Sequence, residues 1–132
     1  MKLDLDLVRD ILLWIEQNQK IAYDDIHDIT LPGRGEHEIS YHVCRMAKEG
    51  FIDATTQRVG GTKPGEIFQL YSIHAIEWRG HDLLEHLRDK AAMDRAKGLL
   101  KAAGVRTMSE LFKALQAEGA ERLRSYLGGL IG

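Results

Sequence analysis

The sequence has a single cysteine, Cys44, and no long apolar run. One cysteine excludes an intrachain disulfide and a zinc site built on cysteine ligands. No stretch approaches the roughly 18–20 apolar residues of a membrane span. The start, MKLDLDLVRD, also lacks the basic and apolar blocks of a signal peptide. We therefore expect a cytoplasmic protein with no membrane partner.

The sequence also has little excess of one charge sign, because the formal net charge is only −2 over 132 residues. Residues 1–33 hold three basic and seven acidic residues, and residues 34–63 hold five and four. Residues 64–90 hold three and five, and residues 91–132 hold seven and four. A nucleic-acid-binding domain is usually basic, so composition argues mildly against that function without deciding it.

Apolar residues at helical spacing predict a first helix over residues 4–18 and a second over residues 36–49, ended by Gly50. Between them, residues 20–30 are predicted to form a short strand or an extended segment. The LPGRG stretch at residues 31–35 is predicted to be a turn, since proline and glycine interrupt regular structure.

A hairpin follows the second helix. Residues 51–59 and 67–76 are rich in apolar and β-branched residues, and they flank the glycine-rich tip GGTKPG at residues 60–65. The order helix, short strand, helix and two-stranded wing predicts an α+β, mainly helical fold of the winged-helix kind. The usual middle helix is not visible in residues 24–33, which are acidic and interrupted by proline and glycine.

The rest of the chain is predicted to be helical, with one helix after Trp78 and another over residues 91–103. A capping box starts a further helix at Thr107, and Gly119 is expected to separate it from a last short helix. We therefore predict a winged-helix domain over residues 1–90 and a helical C-terminal extension over residues 91–132, used for packing or dimerisation.

Three segments, DLDLVRDILLWIE, EHEISYHVCRMAKEGFIDA and IEWRGHDLLEHLRD, together resemble a family of small phage- and prophage-associated proteins that is described as a domain of unknown function. The resemblance covers about residues 3–90, and Trp78-x-Gly80-His81-Asp82 is its most distinctive part. KEGFIDA, at residues 48–54, is also similar to the helix-to-wing transition of many winged-helix regulators. The resemblance implies a winged-helix-like fold and a mobile-element origin, without an established activity.

The second helix and the wing carry the residues that are expected to contact double-stranded DNA. Arginine and lysine can bind phosphates or guanine edges, and tyrosine can pack on the backbone. The alternative is a solvated amphipathic face, since Glu36, Glu38 and Glu49 border it and would repel phosphate. The candidate DNA-binding residues are Arg34, His37, Tyr41, Arg45, Lys48, Arg58 and Lys63.

Other chemistry finds less support in the sequence. The histidine pairs 37/42 and 81/86 are five residues apart, whereas helical metal ligands are better placed three or four apart, so surface or capping roles are favoured. Cys44 is either a redox switch activated by nearby cations or a partly buried thiol, and the second is commoner. GGTKPG lacks the spacing of a phosphate-binding loop. We expect no metal, no cofactor and no enzymatic activity.

The apolar residues of the C-terminal helices need a partner, and two residues of the first helix lie off its main stripe. They either pack within the chain or meet a second copy, and a homodimer is favoured. These residues are Leu13, Trp14, Leu111, Phe112, Leu115, Leu123 and Leu127. The sequence thus predicts a DNA-binding transcriptional regulator; the alternative is a protein-interaction module that modulates a host or defence protein.

Overall fold

The computed structural model describes residues 1–102 and 104–131, with side-chain placement left out for residues 122, 123, 126 and 129–131. The fold is α+β and mainly helical, as predicted. The expected packing residue Leu123 lies outside the described side chains. The elements are α1 (Leu5–Asn18), α2 (Glu36–Lys48), β1 (Ile52–Gly60), β2 (Ile67–Ile76), α3 (Trp78–Glu85), α4 (Lys90–Ala102) and α5 (Met108–Ile131).

Helix α1 begins at the predicted position because Asp4 caps it. The Asp4 carboxylate accepts the Leu7 N–H at 3.2 Å, which satisfies one of the free donors of the first turn. The apolar stripe of this helix is buried at the centre of the molecule. Leu13 and Trp14, which lie off the stripe, are half-buried and pack against the same core.

Residues 19–35 connect α1 to α2 without forming a strand or a helix. One isolated antiparallel bridge joins Ile26 to Ile73, so the segment has one bridge residue and no regular strand, and a bend and turn at residues 21–23 precede it. Ile29 is anchored differently, since its N–H donates to the Tyr71 hydroxyl at 2.9 Å. Ile26 and Ile29 are both buried, and they hold this irregular segment against the core.

Helix α2 ends at a glycine, as predicted. Gly50 has a φ of +80°, a conformation that glycine adopts at low cost after a helix. The chain reverses there, and the Phe51 N–H donates to the Met46 carbonyl at 2.9 Å. The turn places the fully buried Phe51 under α2 and starts β1 in the correct direction.

Strands β1 and β2 form the predicted antiparallel hairpin. Their register runs from Ile52 opposite Ile76 to Gly60 opposite Ile67, with a bulge between Asp53 and Ala54. The ends near the core are buried, whereas the tip is exposed. The hairpin therefore projects from the core beside α2.

The C-terminal helices share one core with the rest of the chain. Leu111, Phe112 and Leu115 are buried in the cluster that also contains the α1 stripe, so the expected boundary at residue 90 does not separate two cores. The prediction that Gly119 interrupts the helix is wrong, because α5 is continuous from Met108 to Ile131. A glycine inside a helix costs only about 1 kcal/mol, which neighbouring turns can absorb.

The second half of α5 differs from its first half. From residue 116 to residue 128, no described side chain is buried. Leu127 is 45% exposed, so this packing candidate is not part of the buried core. The described part of α5 after Leu115 therefore extends beyond the core.

Candidate nucleic-acid interface

A groove between α2 and the hairpin brings together five of the seven residues predicted to contact DNA. We call it the helix–hairpin groove, and its volume is about 560 Å³. Residues from two elements that are distant in sequence therefore form one surface. The groove is lined by Met1, His37, Ser40, Tyr41, Cys44, Arg45, Lys48, Thr56, Arg58, Ile67 and Gln69.

The α2 side of the groove is a single stripe of the helix. His37, Tyr41, Arg45 and Lys48 follow one another at intervals of four, four and three residues, which keeps them on one helical face. The opposite stripe, with Ile39, Val43 and Met46, is buried. Helix α2 is thus held by its apolar side and presents its polar side to the groove.

The groove has positive charge and no carboxylate among its lining residues. Among the described residues, neither Lys48 nor Arg58 has an ion-pair partner. Arg45 lies 3.8 Å from a Glu49 carboxylate oxygen and keeps 41% of its side chain exposed. At least two full cationic groups are therefore available to an anion in the groove.

The glutamates at the ends of α2 do not line the helix–hairpin groove, and each has a different environment. Glu38 lies 3.2 Å from the Arg34 guanidinium, and Glu36 lines a neighbouring groove instead of this one. Glu49 is mostly buried and accepts the Ser109 N–H at 3.0 Å. The repulsion of phosphate that the sequence suggested is therefore reduced at the groove itself.

Arg34 has a different role from the phosphate contact expected of it. Its guanidinium donates to Asp4 at 2.6 Å and to Glu38 at 3.2 Å. Partial burial acts to raise the pKa of Asp4, but the hydrogen bonds from Arg34 and from the Leu7 N–H bring that pKa below its usual range. Arg34 thus joins the start of α1 to the first turn of α2, and its charge is neutralised there.

Lys63 lies at the exposed tip of the hairpin and does not line the helix–hairpin groove. Its carbonyl accepts the Glu66 N–H at 3.1 Å, which closes the turn between the strands. The side chain remains free to reach a partner that extends along the hairpin. Lys63 therefore lies outside the helix–hairpin groove, at the end of the hairpin.

The sequence missed two polar strand residues of the groove, Thr56 and Gln69. Arg58 is opposite Gln69 in the hairpin, and Thr56 is two residues before Arg58. Alternate residues of a strand face the same side, so Arg58 and the strand register together identify both. The sequence analysis located the hairpin tip but did not pair the strands residue by residue, as the structure does.

The histidines and Cys44, considered above as metal ligands and as a redox switch, have surroundings that favour structural roles. Over the described residues, no three His, Cys, Asp or Glu side chains are grouped closely enough to hold a metal. His42 is buried, and its Nε2 accepts the Asp4 N–H at 3.1 Å. Burial raises the pKa of the Cys44 thiol and outweighs the opposite effect of Lys48, so the activated thiolate of a redox switch is not favoured.

A hydrogen-bonded chain at the base of the hairpin was also missed. Thr55 Oγ1 lies 2.8 Å from His74 Nε2, and His74 Nδ1 lies 2.9 Å from an Asp25 carboxylate oxygen. The order hydroxyl, imidazole, carboxylate also occurs in nucleophilic enzymes, but here the three side chains join β1, β2 and the 19–35 connection. The bond to Asp25 raises the pKa of His74, and the same bond lowers the pKa of Asp25.

None of the helices, over the residues described, combines the length and apolar character needed to cross a membrane. No curated protein and no solved structure matches the chain. One family model does match, over residues 2–106, and it is described as Hypothetical protein (DUF2513). The match spans α1 to α4 and every residue that lines the helix–hairpin groove except Met1. The chain therefore belongs to the DUF2513 family of hypothetical proteins.

Proposed function

We propose that this protein binds double-stranded DNA through the helix–hairpin groove and acts, without catalysis, as a cytoplasmic transcriptional regulator. The observation that carries the proposal is the charge of the groove. Arg45, Lys48 and Arg58 line it and no carboxylate does, although the whole chain has a net charge of −2. Such local concentration of one charge is the usual electrostatic footprint of a phosphate-binding surface.

The arrangement supports a winged-helix mode of binding. A helix of 13 residues is about 20 Å long, and the major groove of DNA is wide enough to admit it. Tyr41, Arg45 and Lys48 would face the DNA from α2, while Arg58 and Lys63 on the hairpin would contact the phosphate backbone. The similarity of residues 3–90 to phage-associated proteins supports a mobile-element origin, which prophage genes beside the coding sequence would test.

Salt dependence tests the proposal most directly. Fluorescence anisotropy with a duplex of about 20 base pairs would measure the affinity. Phosphate contacts from the four cations Arg45, Lys48, Arg58 and Lys63 predict a slope of log K against log salt of about −3.6, or a loss of roughly 150-fold between about 50 and 200 mM salt. Lys48→Gln and Arg58→Gln should each reduce the slope by about 0.9.

A matched control comes from an exposed lysine outside the groove. Lys113 lies on α5 beside Arg79 and Phe112, so Lys113→Gln should leave affinity and slope unchanged. Absence of binding at low salt would refute the proposal. An equal effect of Lys113→Gln and Lys48→Gln would show that binding depends on total charge and not on this groove.

We also propose that the regulator is a homodimer. The described part of α5 after Leu115 extends beyond the core and exposes Leu127, and burial of an exposed leucine against a second copy would be favourable. A two-fold dimer would present two helix–hairpin grooves to the half-sites of a palindromic operator. Light scattering that shows only a monomer at tens of micromolar would refute this part.

A second candidate function, binding of a host protein, is favoured by a different surface. The β2 groove lies between β2, α2 and the 19–35 connection and has a volume of about 330 Å³. Phe68 and Leu70 on its β2 side are 39% and 53% exposed, and Asp28 and Glu36 provide its charge. This chemistry fits a basic peptide segment with apolar side chains.

Leu70→Ser tests this candidate without touching the helix–hairpin groove. We expect a host protein to be retained by the wild-type chain and lost by the variant, while affinity for DNA is the same in both. A protein that both chains retain equally would contradict the assignment of this groove.

A further inference from the structure

A second cavity shares three residues with the helix–hairpin groove. We call it the junction cavity, since it lies between the start of the chain, the outer face of α2 and the connection from α4 to α5. Its volume is about 380 Å³, which is within the range of small-molecule sites. Met1, Tyr41 and Arg45 line both spaces.

One part of the junction cavity is apolar. Leu3, Leu100 and Val105 are half-buried and line it together with the almost fully buried Met108. These side chains come from three separate parts of the chain, and their packing leaves a space that apolar atoms can fill. An apolar ligand body would gain free energy there by removing this surface from water.

The other part of the junction cavity is cationic. Lys2, Arg45 and Arg106 line it, and neither Lys2 nor Arg106 has a side-chain ion pair within the described chain. Glu49 is the one carboxylate among the lining residues. It is already bound, since it accepts the Ser109 N–H at 3.0 Å and lies 3.8 Å from Arg45.

We propose that the junction cavity binds a small organic anion with an apolar body, such as an aromatic or branched carboxylate or sulfonate, and that this ligand competes with DNA. The apolar wall accepts the body of the ligand, and Arg106 and Lys2 bind its anionic group. Tyr41 and Arg45 cannot bind an anion in the cavity and a DNA phosphate in the groove at the same time. A ligand in the junction cavity therefore lowers the affinity for DNA. The competition rests on the proposed function, whereas ligand binding does not.

The dye 1-anilinonaphthalene-8-sulfonate is a suitable probe, because it joins an apolar body to a sulfonate and fluoresces when it leaves water. Titration of the full-length protein without DNA should show saturable binding. Arg106→Gln should weaken that binding roughly tenfold, the loss expected of one charge-assisted contact. Leu100→Gln should weaken it too, since it places an amide in the apolar wall.

The exposed Leu70 of the β2 groove provides the matched control, because a dye that binds any apolar surface would respond to it. Leu70→Ser should leave the affinity for the dye unchanged. Equal affinity in wild type, Arg106→Gln and Leu100→Gln would overturn the assignment of the site, as would an equal loss in Leu70→Ser.

Competition is then measured in both directions. Coupling between two sites is reciprocal, so the dye should weaken DNA binding by the same factor by which DNA weakens dye binding. Dye binding that leaves the affinity for DNA unchanged would overturn the competition. Dye binding to a protein that does not bind DNA would refute the proposed function and leave the ligand site standing.

Discussion

Replacement of Gly80 by alanine should destabilise the protein, although alanine is the better helix former. Gly80 lies inside α3, and a Cβ added there would be 2.1 Å from the Phe51 carbonyl oxygen and 2.7 Å from Ile76 Cγ2. Ordinary contact starts near 3.4 Å, so the helix and this carbonyl would have to separate by more than 1 Å. The Phe51 carbonyl also accepts the Glu77 N–H at 3.1 Å.

The expected loss follows from three contributions. Overpacking a close contact costs about 1–3 kcal/mol, and a weakened backbone hydrogen bond adds about 1 kcal/mol. The helix propensity of alanine returns about 1 kcal/mol. We therefore expect Gly80→Ala to lower the free energy of unfolding by about 2 kcal/mol, or the melting temperature by roughly 6–10 °C for a chain of this size.

Gly98 in α4 is the matched control, since a Cβ there would meet nothing within 4 Å. Gly98→Ala should therefore raise the free energy of unfolding by up to about 1 kcal/mol. Urea unfolding of the wild type and both variants, followed by circular dichroism, measures the differences. If Gly80→Ala is as stable as the wild type, the close approach of α3 to Phe51 is not a constraint and the reasoning fails.

Three further predictions concern other contacts. His74→Gln should lower the melting temperature more near about pH 5.5 than near about pH 9. The bond to Asp25 raises the pKa of His74 in the folded state. Protonated His74 therefore stabilises the fold below the ordinary pKa of 6.5, and this stabilisation is lost as the pH rises through the folded-state pKa. A reversed or flat difference would contradict the bond to Asp25. Asp4→Ala removes a helix cap and the partner of an arginine, and should cost about 1 kcal/mol in urea unfolding, whereas Asp94→Ala, at an exposed pair, should cost less than about 0.5 kcal/mol. Leu127→Glu should shift the protein from dimer to monomer in light scattering, and an unchanged mass would show that α5 is not the contact.

The sequence predicted most of the regular structure because local rules decide it. Apolar spacing and Asp4 located α1, Gly50 located the end of α2, and the glycine-rich tip located the hairpin. The same rules failed at Gly119, since a helix-breaking tendency of about 1 kcal/mol is smaller than what the surrounding helical turns contribute. They also did not decide between a strand and an extended segment for residues 20–30. The single bridge from Ile26 depends on the position of Ile73 in β2, which is distant in the sequence.

The sequence by itself determined which face of α2 is polar, since the spacing of its apolar residues fixes the buried side. It also contained every cation of the helix–hairpin groove. Only the tertiary structure decided which of the candidate cations are paired, because ion pairs can join residues far apart in the chain: Arg34 is paired with Asp4, whereas Lys48 and Arg58 line one groove that has no carboxylate in its lining. The junction cavity was likewise not visible in the sequence, because it forms where α2 meets the connection between α4 and α5.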